Sequence, residues 1–142
     1  MSPHVATGRI GDLPQIAGTD PGDPAGWTPL RHLLGVKAFG VNAWHGNAEG
    51  DLVIEEHDEL PSGGETAHEE LYLVIAGHAR FVIDGDELDA PNGTAVAIPP
   101  NLTRVAHAVT GGTTILSIGA PLGEAFTPSP WEQRAVAKAG LV

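Results

Sequence analysis

His68-Glu69-Glu70-Leu71-Tyr72-Leu73-Val74-Ile75-Ala76-Gly77-His78-Ala79-Arg80-Phe81-Val82-Ile83-Asp84-Gly85 is the stretch that decides the architecture of this chain. Two apolar runs, Leu71 to Ala76 and Phe81 to Ile83, are split at Gly77 and closed by Asp84-Gly85. That dipeptide is a strong hairpin signal because glycine tolerates positive φ. Side chains alternate across a strand, so His68, Glu70 and Tyr72 share one face, and the expectation is that Glu70 and Tyr72 face an interior.

The same punctuation continues on both sides. Downstream, Asp86 to Ala90 returns and Pro91-Asn92-Gly93 turns. Ala95 to Ile98 forms a further strand that Pro99-Pro100 stops, and Arg104 to Val109, Gly111-Gly112 and Thr114 to Ile118 complete the series. Upstream, Val36 to Trp44 is strand-like, and Leu52-Val53-Ile54 leads into Glu55-Glu56-His57-Asp58-Glu59 before the Pro61-Ser62-Gly63-Gly64 loop. Short strands at such regular spacing, in a chain with 19 Gly and 12 Pro, predict an all-β sandwich or barrel.

Three segments follow: an N-terminal arm over 1–35, a barrel over 36–122 and a tail over 123–142. The arm, with Gly18 to Gly26 rich in Gly, Pro and Asp, reads as irregular. A short helix is expected after Thr28-Pro29, with Thr28 as its cap and Leu30, Leu33 and Leu34 on one face until Gly35 ends it. Ser129-Pro130-Trp131-Glu132 is a capping box that predicts a helix over about 130–138. Trp44 and Trp131 are expected to pack, Trp131 anchoring that helix.

The 142 residues suffice for one domain. A formal net charge of −11 argues against nucleic acid or an anionic membrane as partner. The absence of cysteine excludes disulfides and thiolate metal sites. No signal peptide is visible and no apolar run reaches membrane-spanning length, so a cytoplasmic protein is the expectation.

The segment from His68 to Gly85 resembles the cupin superfamily, jelly-roll barrels also called double-stranded β-helices. The first cupin motif runs Gly, five residues, His-x-His, three or four residues, Glu, six residues, Gly. Glu70, six residues and Gly77 match its second half. The second motif runs Gly, five residues, Pro-x-Gly, two residues, His, three residues, Asn, and Gly93, five residues and Pro99 match its first half. The resemblance covers about residues 50–120 and implies a barrel and a homodimer.

The resemblance also implies a divalent metal held by three His and one Glu, and here the sequence departs from it. Only Glu70 survives; the paired His positions fall on Gly64 and Thr66, and the later His position on Arg104. Asn101 and Ala108 stand at the motif's Gly and Asn. A guanidinium stays protonated and offers no lone pair to a metal. Arg104 is therefore expected to meet Glu70 inside the barrel, either closing the site or binding an anionic ligand, with Tyr72 as a further ligand-binding residue. No cofactor is expected on this reading, and a small molecule is the expected ligand.

The alternative is a metal-dependent cupin enzyme of dioxygenase, isomerase or decarboxylase type, with His57, His68 and Glu70 holding Fe, Mn, Ni or Zn. A metal-free acid–base enzyme would need an interior His–Asp pair, which the sequence does not reveal. His4, His32, His45, His78 and His107 read as surface or turn residues, and the acidic run 55–59 as a solvated face. No nucleophile elbow, phosphate loop or zinc-protease helix is present.

Overall fold

The computed structural model describes residues 5–61 and 66–141. Ten strands run in chain order: β1 Ile16–Ala17, β2 Gly26–Thr28, β3 Gly40–Gly46, β4 Leu52–His57, β5 His68–Ala76, β6 His78–Ile83, β7 Asp86–Pro91, β8 Ala95–Ile98, β9 Arg104–Ala108 and β10 Thr113–Pro121. One sheet has the order β1-β2-β3-β10-β5-β8 and the other β4-β9-β6-β7, with antiparallel pairing throughout. The two sheets face each other as a jelly roll. The all-β fold class and the short terminal helix are as the sequence predicts.

The alternation of β5 is visible in its burial: Tyr72 and Val74 are buried, whereas Leu71 and Ile75 are exposed. With Phe81, Val53, Ile98, Ala106 and Ile115 they form the core between the sheets. Burial of a side chain such as Phe81 contributes about 1.5–3 kcal/mol. The hairpin at Asp84-Gly85 has φ of 50° and 88° at its two central residues, which is the left-handed geometry a two-residue turn needs, and it sets Ile83 opposite Asp86.

The N-terminal arm is more ordered than its composition suggests. Its β2 pairs with β3 and β1 pairs with β2, extending the large sheet. Helix α1 spans Leu30–Leu34 and ends at Gly35. Thr28 does not cap it, because Pro29 holds that place and the Thr28 hydroxyl meets His45 Nε2 at 2.8 Å. His45, expected at the surface or in a turn, is instead buried; it also approaches Thr114 Oγ1, and burial lowers its pKa. His107 is exposed, as its parity opposite to Arg104 predicts. His4 lies outside the described residues.

Helix α2 covers Pro130–Lys138, yet its capping box does not close. Ser129 makes no side-chain cap, and Glu132 turns inward to Arg31 Nε at 2.5 Å and Asn42 Nδ2 at 3.3 Å. A buried ion pair thus takes the carboxylate that local helix chemistry would have used. Trp131 packs on Trp27 and Trp44, with ring centroids 5.3 and 6.3 Å away, which lays the helix beside one end of the barrel. Among the described residues no helix is long and apolar enough to cross a membrane.

Candidate functional site

Two register relationships build the site. On the large sheet, β10 sets Gly119 opposite Glu70 and Ser117 opposite Tyr72. A Cβ at position 119 would lie 3.1 Å from Glu70 Cγ, so the absence of a side chain there is what lets the carboxylate lie against β10. On the smaller sheet, β9 sets Arg104 opposite His57. The barrel brings Glu70, Tyr72, His57 and Arg104 to the same end.

Arg104 is wholly buried, at 0% exposure. Its Nη1 donates to Glu70 Oε1 at 3.0 Å, its Nη2 to the carbonyls of Pro99 and Leu102 at 2.9 Å each, and its Nε to Leu102 at 3.2 Å. The loop after β8 supplies those carbonyls, so the turn from Pro99 to Leu102 serves as both strand stop and guanidinium cradle. Tyr72 donates its hydroxyl proton to the same Oε1. Burial and the Glu70 charge push the Tyr72 phenol well above its ordinary pKa and keep it a donor.

His57 completes the cluster together with a residue that the sequence reading passed over. Its Nδ1 donates to the Glu55 carbonyl at 2.7 Å, which turns Nε2 toward Glu59 and Glu70, 3.7 Å from an oxygen of each. Burial alone would lower the His57 pKa, but the two carboxylates and the Glu55 carbonyl outweigh it and push it up to about 10. Glu59 is anchored by its backbone, accepting from His68 N and donating to Pro100 O. Burial and then the neighbouring Glu70 charge raise the Glu59 pKa. Burial acts to raise Glu70 as well, yet the adjacent His57 and the hydroxyl proton donated by Tyr72 hold it below the ordinary value. Of the two carboxyls, Glu59 is the one that takes up a proton first.

The acidic run is therefore only partly a solvated face. Glu55, Glu56 and Asp58 are exposed, while His57 and Glu59 turn inward. Glu59 lies two residues past the end of β4, so strand parity does not place it; its backbone bonds to Pro100 and His68 do. His68 does share the Glu70 face, but it does not join His57. Its Nδ1 meets the Thr66 carbonyl at 2.7 Å and its ring lies edge-on to Phe126 at 6.0 Å. Among the described residues, the group whose ligand atoms lie within 4.8 Å of one another is His57, Glu59 and Glu70. Thr66 is among the described residues, whereas Gly64 lies outside them.

Above this cluster opens a cavity of about 260 Å³, with Asn42, Trp44 and Ser117 on one wall and Trp131 and Glu132 from α2 at its edge. Trp44 Nε1 donates to Ser117 Oγ at 2.8 Å. The His57–Glu59 contact is an interior imidazole–carboxylate pair of the kind the sequence did not reveal. The arrangement can hold and move a proton between an imidazole and two carboxyls beside a bound molecule.

Comparison with known proteins follows the architecture. A cupin protein from Bacteroides fragilis superposes over 91% of this chain and 93% of its own, with 18% identity and a TM-score of 0.62. A sugar phosphate isomerase from a cupin superfamily, from Silicibacter pomeroyi, covers 88% of this chain and 77% of its own, with 18% identity and a TM-score of 0.64. The chain has the cupin fold. A conserved Klebsiella pneumoniae protein with a double-stranded β-helix domain matches more loosely, over 65% of this chain and 75% of its own, at 19% identity and a TM-score of 0.51. No protein-family model matches the chain, and no curated protein does.

The metal set that cupins ordinarily carry does not fit the residues present. At the later His position Arg104 presents a cation, and Glu70 Oε1 already accepts from Arg104 and Tyr72. A guanidinium beside the carboxylate repels a metal and cannot ligate one. What the barrel holds at that point is an ion pair.

Proposed function

We propose that this protein binds a small polar molecule in the mouth of the cupin barrel, without the three-His-one-Glu metal. The observation that supports the reading is the wholly buried Arg104 guanidinium, hydrogen-bonded to Glu70 at the end of the barrel that opens into the cavity. It supplies the positive charge that a metal supplies elsewhere, and Tyr72 and His57 complete the surroundings of Glu70. The relative from Silicibacter is described as a sugar phosphate isomerase. An anion of that kind fits poorly here, because Arg104 has four of its five N–H groups engaged and does not line the cavity, whereas carboxylates do. The same proposal makes the protein a cytoplasmic homodimer with no nucleic-acid or membrane partner.

A second reading has one observation in its favour. His57, Glu59 and Glu70 converge closely enough to hold a divalent transition metal such as Fe, Mn, Ni or Zn, as in a metal-dependent cupin enzyme. Elemental analysis of the purified protein separates the two. The binding reading expects no stoichiometric metal and a melting temperature unmoved by a chelator. One equivalent of metal, lost in His57→Ala, would establish the second reading and remove the first.

A further inference from the structure

Between the N-terminal arm and α2 lies a second hollow, of about 470 Å³. Ile16, Pro24 and Trp27 line it from the arm, and Trp131, Ala135 and Ala139 from α2. Positions 131, 135 and 139 recur every four residues and so share one helix face, next to the buried face formed by Glu132 and Val136. The charged residues of the lining do not fill it. Glu55 and Lys138 are exposed, and the Asp23 carboxylate accepts from the backbone N–H groups of Thr19 and Asp20.

The hollow adjoins the barrel cavity, because Trp44, Glu55 and Trp131 line both. An aromatic wall joins the two: Trp44 stacks on Trp27 with ring centroids 5.1 Å apart and planes 17° from parallel, and Trp131 lies 5.3 Å from Trp27. The helix that carries Trp131 is pinned by the buried Glu132–Arg31 pair at 2.5 Å, yet Trp131 itself is left 37% exposed. Covering such apolar surface is favourable. Size points the same way. The barrel cavity alone, at about 260 Å³, falls short of the roughly 300–1,000 Å³ of small-molecule sites, and the hollow brings the whole within that range.

Resting on the small-molecule reading of the barrel site, we propose that its ligand is an amphiphile. Its polar head lies in the barrel mouth, and its hydrocarbon tail passes Trp44 and Trp131 into the hollow, against Trp27, Ala135 and Ala139. The arm and α2 thereby set the length and polarity of the tail.

The alcohols n-butanol, n-hexanol and n-octanol carry one head on tails of increasing length. Each is titrated into the full-length protein at pH 7, following the Trp27 indole and the His57 ring by NMR, because Trp27 lines only the hollow and His57 only the barrel cavity. Affinity is expected to rise about two- to fourfold per methylene, with both signals moving together. Ala135→Phe fills the hollow and is expected to flatten the series while n-butanol binds as before; the wild-type series decides alone if that variant does not fold. Affinity independent of chain length, or a rise that Ala135→Phe leaves untouched, overturns the tail and leaves the small-molecule reading standing. A rise that moves Trp27 without His57 breaks the link between hollow and barrel and overturns it too. So does a Trp27 signal that shifts when the protein alone is diluted, since a second copy then covers the hollow. Alcohols that move neither signal overturn both.

Discussion

Replacing Arg104 by Met keeps the length and apolar stem of the side chain and removes its charge. In the wild-type protein the guanidinium is fully shielded from water and makes four hydrogen bonds, one to Glu70 and three to the carbonyls of Pro99 and Leu102. The variant strands the Leu102 carbonyl, while the Pro99 carbonyl keeps the Leu102 N–H, and it leaves Glu70 ionised beside Met. Loss of one partner from a buried pair costs about 3–5 kcal/mol. Tyr72 and His57 still face Glu70, so the expected cost lies toward the lower end of that range. Arg104→Met/Glu70→Leu removes the stranded charge along with its partner. The double variant is therefore expected to recover about 1–3 kcal/mol relative to the sum of the two single changes. Urea unfolding of the four proteins, monitored by tryptophan fluorescence, measures this. Additive single changes, or an Arg104→Met cost under about 1 kcal/mol, would refute the argument that the pair is buried and coupled.

Three further outcomes are expected. His57 binds its proton more tightly folded than unfolded, with a pKa of about 10 against the ordinary 6.5, so its contribution is complete below pH 6.5 and lost as the pH climbs toward 10. With 30% of that side chain exposed, the loss over this window should be roughly 1–3 kcal/mol, and His57→Gln should flatten it; a wild-type curve as flat as the variant's contradicts the charge cluster. Arg31→Met should destabilise by roughly 3 kcal/mol and loosen α2, read as faster amide exchange over 130–138, because it strands the buried Glu132. Finally, Leu71 and Ile75 on the outer face of β5 are 36% and 42% exposed beside the edge strand β8, where a second copy would dock. Leu71→Glu/Ile75→Glu should convert a dimer into a monomer by light scattering, and a wild-type monomer sinks the homodimer.

Much of the fold could be read directly because its signals are local. The Asp84-Gly85 turn, the Pro99-Pro100 stop and the alternation through Tyr72 and Val74 each depend on residues close in the chain. So does the pairing of parity between Glu70 and Tyr72. Arg104 meeting Glu70 was legible at longer range only because the spacing resemblance fixed where each would sit in a barrel. Other features depended on contacts that no local pattern records. Glu132 left its capping box for Arg31, which lies 101 positions away. Thr28 and His45 found each other across β2 and β3. Glu59 was hidden in a run of charges, and what turns it inward is its backbone pairing with Pro100 and His68. Tertiary partners override helix-end and charge-run chemistry when the alternative is a buried group without a mate.

What stands next to the Glu70 carboxylate decides between an ion pair and a metal site. An experimental electron-density map of crystals soaked in manganese or zinc, with anomalous data, addresses that directly. The guanidinium of Arg104 should lie about 3 Å from Oε1, as it does here at 3.0 Å, with no anomalous peak beside it. An ion bound between His57 Nε2 and the carboxylates of Glu59 and Glu70, with Arg104 swung aside, would contradict it.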